Sequence, residues 1–166
     1  MGASGWNYFV QYQADVNIAL QDLRQAIFSK GEYYKPHQNL LESIPKLIEQ
    51  HPNLKEHFEN NLEETKRKSY LPEDNIEQLL QKNAESGTHS IIDIFTISDT
   101  TDLNQSGKVS DQDLLKLFTT LKPSKTQVES NAEHLQTYRG RWLCTYVIVY
   151  DNQGPCELFF TGYSGD

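Results

Sequence analysis

The spacing of apolar positions changes between residues 12 and 16. Large apolar residues alternate with mixed ones over 6–12, which predicts a β-strand. From Val16 to Ile27 the apolar residues recur at helical spacing, after Asp15 as a possible N-cap and before Gly31 as a possible C-terminal stop. The pattern therefore predicts a strand that is followed directly by a helix.

Three further helices are predicted in the middle of the chain. A short helix around 39–50 contains Pro45, which either interrupts it or restarts it as a first-turn proline. Pro52 opens a third helix with one apolar stripe, and Pro72 opens a fourth that stops at Gly87. This part of the chain is therefore expected to be mostly helical.

The second half of the chain changes back to strand-like patterns. Residues 89–97 are β-branched and apolar on both faces, which predicts a central strand. Helices are predicted over 111–121 and about 126–139. Two apolar runs, 142–150 and 156–163, are joined by five turn residues and predict a β-hairpin.

These elements together predict an α+β fold. The N-terminal strand, the central strand and the C-terminal hairpin form a mainly antiparallel sheet, which packs with several helices. A length of 166 residues fits a single domain over 1–166, with an acidic helical section at about 42–86.

The two cysteines are expected to be free thiols. In the predicted hairpin Cys156 lies opposite about Tyr150, so Cys144 is six residues further along, roughly 20 Å at the rise of a strand. A disulfide needs Cα atoms within about 7 Å. Free thiols, no visible signal peptide and no apolar run long enough to span a membrane together predict a cytoplasmic protein.

The net charge of −8 is unevenly distributed along the chain. Residues 42–113 hold 15 acidic and seven basic residues, whereas the remainder holds eight of each. This acidic balance disfavours nucleic acid and anionic membranes as ligands. Two interpretations of the acidic stretch stay open: a solvated helical face, or a docking surface for a basic protein partner. The expected surface consists of four glutamates: Glu56, Glu59, Glu63 and Glu64.

One segment has the ligand spacing of an EF-hand calcium loop. Oxygen-bearing residues fill alternate places from residue 102, Gly107 fills the sixth place and a carboxylate fills the twelfth. The candidate calcium ligands are Asp102, Asn104, Ser106, Lys108 through its carbonyl, and Asp113. The alternative is a turn followed by a capping box that starts the next helix.

Catalytic motifs are missing from the sequence. It contains no G-x-S-x-G motif, no P-loop and no dinucleotide fingerprint, which favours a non-enzymatic function. If the protein is an enzyme, aromatic and titratable groups at the strand ends are the candidates for a pocket: His89, Asp93, Tyr8, Tyr12 and Tyr163.

Several segments resemble a family of uncharacterised bacterial proteins. They are GWNYFVQYQ at 5–13, GTHSIIDI at 87–94 and ELFFTGYS at 157–164, with further similarity around 19–24 and 117–123. The resemblance implies a bacterial origin and no particular activity. The sequence therefore predicts a non-enzymatic binding protein of an immunity-like, adaptor or accessory kind. A calcium-binding domain and a small enzyme are the alternatives.

Overall fold

The computed structural model describes residues 4–69, 73–98 and 102–164. Two single turns of 3₁₀-helix, Pro52–Leu54 and Ile91–Asp93, lie between the main elements. The strands and helices, in chain order, are β1 Gly5–Gln11, α1 Val16–Lys30, α2 Pro36–Gln50, α3 Lys55–Ser69, α4 Ile76–Lys82, β2 Thr96–Ile97, β3 Gln105–Lys108, α5 Asp111–Phe118, α6 Lys125–Ser130, α7 Ala132–Gln136, β4 Leu143–Asp151 and β5 Gly154–Tyr163.

The five strands form one mixed sheet in the order β1-β5-β4-β3-β2. The three long strands β1, β5 and β4 are antiparallel, whereas β3 runs parallel to β4 and β2 parallel to β3. Helices pack on both faces of this sheet. The predicted α+β class with a mainly antiparallel sheet is confirmed.

The elements with the strongest local signals form as predicted. Asp15 accepts hydrogen bonds from the amides of Asn17 and Ile18, and Gly31 ends α1 at a φ of 69°. In the hairpin Asp151 pairs with Gly154, so β4 and β5 are joined by a turn of two residues and not by the five that the sequence predicted. The turn is held by the Asp151 carboxylate, which accepts hydrogen bonds from the two amides that follow Asn152.

The core consists of two apolar clusters, one on each face of the sheet. On the first face, Leu158 and Phe160 of β5 pack with α1 and with the 3₁₀ turn at Ile91–Asp93. On the second face, Phe159 packs with Val147 and with helices α5, α6 and α7. Alternation along β4 and β5 therefore supplies both halves of the core.

The central strand predicted over 89–97 is wrong in most of its length. Only Thr96–Ile97 is a strand, and it lies at the edge of the sheet. Ser90 instead caps a 3₁₀ turn by accepting from the Ile92 amide. The segment is apolar on all sides because α1, α4 and the sheet enclose this turn, and not because it lies between two strands.

Several helix bounds also differ from the predictions. Helix α2 begins at Pro36 and continues through Pro45, while α3 begins at Lys55 after a separate turn. The helix predicted over 126–139 divides into α6 and α7 around Asn131. The predicted start of the fourth helix at Pro72 lies outside the described residues, and α4 is capped by Asn75. No helix of the described residues is both long and apolar enough to cross a membrane.

Helices α2 and α3 form a helical hairpin that packs mainly on itself. Ile44 of α2 is buried to 1% exposure, yet it belongs to neither cluster of the sheet core. Phe58 and Leu62 of α3 are half-buried, and Leu54 at the tip is 44% exposed. The hairpin thus packs less extensively on the sheet core than the other helices do.

Candidate functional site

The structure brings together only part of the predicted catalytic set. Tyr12 lies beside Cys156 at one end of β5, because its amide donates to the Cys156 carbonyl, whereas Tyr163 pairs with Gly5 at the other end. Seven residues of strand separate these positions, roughly 23 Å. Tyr12 and Tyr163 therefore cannot line one pocket.

The other three candidates, Tyr8, His89 and Asp93, are neighbours on the first face of the sheet. Tyr8 lies near the Ile91 backbone and near Asp93, and burial raises the pKa of its hydroxyl. The Asp93 side chain is 3% exposed, and both of its oxygens accept from the Thr88 amide at 2.9 and 3.0 Å. Burial raises the pKa of Asp93, an effect that the hydrogen bonds from Thr88 and the nearby His89 partly oppose.

The backbone around Asp93 has several residues in the left-handed region. Gly87 has a φ of 72°, and the non-glycine residues His89, Asn104 and Trp142 have φ values of 52°, 62° and 60°. Asn104 donates from its side-chain amide to the Asp93 carbonyl at 2.7 Å, and its backbone amide donates to the Trp142 carbonyl. Such conformations cost energy and persist only where the surroundings enforce them.

His89 is held by ring stacking and by hydrogen bonding. Its ring lies 4.2 Å from that of Tyr34 at an interplanar angle of 4°, and its Nε2 lies 3.1 Å from the Ser86 carbonyl. Nε2 is therefore the nitrogen that carries a proton in this arrangement. Because Asp93 is buried and turned toward its own loop, the cluster is suited to holding the loop in place.

Three of the five proposed calcium ligands, Ser106, Lys108 and Asp113, fall on a strand or a helix. Residues 105–108 form β3, paired with β2 on one side and β4 on the other. The Ser106 hydroxyl is buried and donates to the Cys144 thiol at 3.1 Å. The interpretation of this segment as a loop is wrong, because the two neighbouring strands extend its backbone.

Asp113 lies on the opposite face of the sheet from Ser106. It belongs to α5, where its carboxylate accepts from Ser110, from Tyr138 and from Lys116. These hydrogen bonds lower the pKa of Asp113 to about 2. Asp113 thus belongs to the capped start of α5, where Ser110 is the N-cap, which was the alternative to a metal site.

Two further candidate ligands, Asp102 and Lys108, lie at the surface. The Lys108 ammonium lies 3.6 Å from Asp111, and Asp102 is exposed. Within the described parts of the chain, no group of three or more His, Cys, Asp or Glu side chains is arranged to hold a metal ion.

The four glutamates of the predicted docking surface are all exposed on α3. Glu56, Glu59 and Glu63 are three and four residues apart, so they form one stripe along the helix. Lys55 lies 3.6 Å from Glu59, and Lys66 lies 2.8 Å from Glu63. The stripe is therefore flanked by basic residues rather than being part of a uniformly acidic surface.

The acidic surplus is concentrated after the helical hairpin. Residues 42–69 hold six acidic and five basic residues, whereas residues 70–113 hold nine acidic and two basic ones. Asp74, Glu77 and Glu85 around α4 are exposed, as are Asp102 and Asp111. The negative electrostatic field of the protein thus comes mainly from residues 70–113. The helical hairpin is nearly neutral and contributes only the stripe of glutamates on α3.

Sequence reasoning missed a depression on the surface near the C-terminal end of β5. A shallow depression of about 400 Å³, open to solvent, is lined by Thr137, Gly140, Arg141 and Tyr163. Gly140 has a φ of 92°, which was visible in the sequence only as a possible helix stop. Neither this depression nor the left-handed residues around Asp93 had a local sequence signal.

No protein-family model, curated protein or solved structure matches this chain. The function must therefore be argued from the geometry of this structure.

Proposed function

We propose that the protein is a non-enzymatic binding module that uses the outward face of α3 to bind a basic partner protein. The observation that carries the proposal is the construction of the helical hairpin. Its apolar seam is used between α2 and α3, while Glu56, Glu59, Glu63 and Glu64 point away from that seam into solvent.

The chemistry of the hairpin favours recognition over catalysis. All four glutamates are exposed to solvent, so none of them lines an enclosed pocket. A stripe of carboxylates on a rigid helix matches lysine or arginine side chains on a partner. In contrast, the Asp93 carboxylate is buried and bonded to its own loop, so it offers little to a substrate.

The two lysines beside the stripe shape the type of partner that fits. Because Lys55 and Lys66 already contact Glu59 and Glu63, a partner must compete with two exposed ion pairs. Exposed pairs contribute roughly 0–1 kcal/mol each, so guanidinium or ammonium groups can replace them at small cost. The expected contact is therefore short in range and specific to the helix face.

A capture experiment with matched charge reversals tests the proposal. The immobilised protein is incubated with extract at low and high salt, and the variant Glu56→Lys/Glu59→Lys is compared with Glu129→Lys/Glu133→Lys. All four glutamates are exposed, and both variants change the net charge equally. The first variant should lose at least about tenfold in partner binding, and the second should retain most of it.

The salt series gives an independent readout. Raising the ionic strength from about 0.1 M to about 1 M shortens the Debye length from about 10 Å to about 3 Å, so a charge-driven complex should weaken steeply. A complex that ignores salt, or one weakened equally by both variants, would contradict the assignment of the surface to α3.

A further inference from the structure

The depression beside Tyr163 lies where three segments meet at one end of the sheet. Tyr163 pairs with Gly5 of β1, and its carbonyl accepts a hydrogen bond from the Trp142 amide at 3.1 Å. Arg141 forms a further backbone bridge with Tyr163. The depression has a volume of about 400 Å³ and is therefore anchored to the sheet by main-chain contacts. Its volume falls within the range of roughly 300–1,000 Å³ that is typical of small-molecule sites.

The backbone on either side of Arg141 is held in the left-handed region. Gly140 has a φ of 92° and Trp142 a φ of 60°. This conformation is unusual for a residue as bulky as tryptophan, and it persists only where the surroundings enforce it. Here the Trp142 ring lies against Gly87, and the Trp142 carbonyl accepts from the Asn104 amide. The Arg141 backbone is thus fixed, while its exposed side chain lines the depression.

The lining of the depression combines hydrogen-bond donors with one flat apolar surface. The donors are the Arg141 guanidinium and the hydroxyls of Thr137 and Tyr163. The half-buried Tyr163 ring supplies the apolar surface, and a Cβ at Gly140 would meet nothing within 4 Å. A guanidinium has five N–H donors, so Arg141 can bind a ligand in addition to its contacts within the protein.

The local charge at this end of the sheet differs from that of the whole chain. The described segments that meet there, 4–9, 134–150 and 158–164, contain two arginines and no acidic residue, although the chain as a whole carries a charge of −8. A negatively charged group in the depression would therefore have basic residues as its nearest charged neighbours in these segments.

We propose that the depression binds a small carboxylate that carries a flat apolar body. The two carboxylate oxygens accept parallel hydrogen bonds from the Arg141 guanidinium, whose planar fork matches their spacing. The apolar body lies against the Tyr163 ring. Inorganic phosphate fits the same fork but leaves the ring without a contact. This site shares no residue with the surface on α3, so it is independent of the function proposed above.

NMR titration of the ¹⁵N-labelled full chain tests the proposal, with three probes: benzoate, benzamide and inorganic phosphate. Benzamide has nearly the shape of benzoate but no charge. Benzoate should shift the amides of residues 140–142 and of Tyr163, with a Kd on the order of 1 mM. Benzamide and phosphate should each bind at least about tenfold more weakly. Equal binding of benzamide would refute the role of the charge, and equal binding of phosphate would refute the role of the ring.

Substitutions of Arg141 test the assignment of the site. Arg141→Gln should weaken benzoate binding at least about tenfold, and Arg141→Lys should weaken it less, because lysine keeps the charge but lacks the fork. Lys122→Gln is the control, since Lys122 is exposed and lies over Tyr150, near the other end of β5. It should leave binding unchanged. Benzoate that shifts none of these amides at about 20 mM, or equal weakening by Arg141→Gln and Lys122→Gln, would overturn the proposal.

Discussion

Replacing Asp93 with alanine should destabilise the protein, because it leaves a buried amide without an acceptor. The Thr88 residue is 0% exposed, and its N–H donates to the two Asp93 oxygens. Hydrogen bonds to charged groups contribute about 1.5–3 kcal/mol, and an unpaired buried amide costs a similar amount. In a chain of this length each kcal/mol lowers Tm by about 2–4 °C, so Asp93→Ala should lower Tm by about 3–12 °C.

Asp93→Asn keeps a hydrogen-bond acceptor for the Thr88 amide but removes the negative charge. One amide oxygen suffices for the Thr88 N–H, and asparagine carries no charge to desolvate. Since burial raises the pKa of Asp93 above its ordinary value of 3.8, the folded state binds this proton more tightly than the unfolded state does. The stabilising contribution is fully present below pH 3.8 and is lost as pH rises through the folded-state pKa. Above that window Asp93→Asn should be at least as stable as wild type.

Urea unfolding of the three proteins across pH 3–7 provides the assay, with m-values compared to confirm similar unfolding. The difference in free energy of unfolding between Asp93→Asn and wild type should grow in favour of the variant as pH rises. If Asp93→Asn is as unstable as Asp93→Ala, the negative charge itself stabilises the loop, through His89 and Arg24, and the reasoning from burial is refuted.

Three further predictions concern other parts of the molecule. Burial raises the pKa of Cys144 to about 12, so a thiol reagent should modify only half-buried Cys156 rapidly in the native state and both thiols in denaturant; two rapid reactions would disprove this. Ile44→Ala should cost about 2–4 kcal/mol and expose amides of α2 and α3 to exchange, while sheet amides keep their protection. Asp113, with a pKa of about 2, should contribute stability above pH 3.8 that is lost as pH falls through about 2. Asp113→Asn should flatten this acid dependence, measured by unfolding between pH 2 and 5, and an unchanged profile would contradict it.

The parts of the fold that were predictable from sequence have local physical signals. The strand–helix start needs only alternation, an aspartate cap and a glycine stop, and each of these acts within a few residues. The hairpin likewise depends on two apolar runs and a polar turn. These elements are determined by neighbours in sequence, so periodicity and capping residues were sufficient to place them.

The segment from His89 to Ile97 was mispredicted because its burial is caused by distant elements. Burial on all sides looks the same in sequence whether strands or helices provide it. Here α1 contributes Arg24, whose Nε donates to the Ile92 carbonyl at 3.2 Å. The Asp93 carboxylate also accepts a hydrogen bond from the Thr88 amide, which closes the loop. No pattern of apolar residues in the sequence indicates this contact.

Strand β3 shows the same limit for site prediction. A glycine among small polar residues is typical of a calcium loop, but it also occurs in a short strand that another side chain approaches closely. Gly107 fits here for a different reason, since a side chain at this position would have to displace the Arg139 guanidinium, which lies against the strand. That guanidinium also approaches the carbonyls of Ser98 and Cys144, so it links the strands on either side of β3. The glycine thus belongs to a packing arrangement that only the folded structure reveals.

Under the proposed function, the rates of association and dissociation of the partner depend on two different parts of the molecule. The stretch 70–113 carries most of the acidic surplus, so under the proposed function its exposed acids would supply the long-range field that speeds encounter with the basic partner. The hairpin at 42–69 is nearly neutral overall, so its stripe acts only after contact. Reversing acids around α4, such as Glu77, should therefore slow association and reduce its salt dependence, whereas reversing Glu56 and Glu59 should mainly speed dissociation. If reversal at either place changed the same rate constant, the partner would contact both regions, and the binding surface would extend from the hairpin to α4.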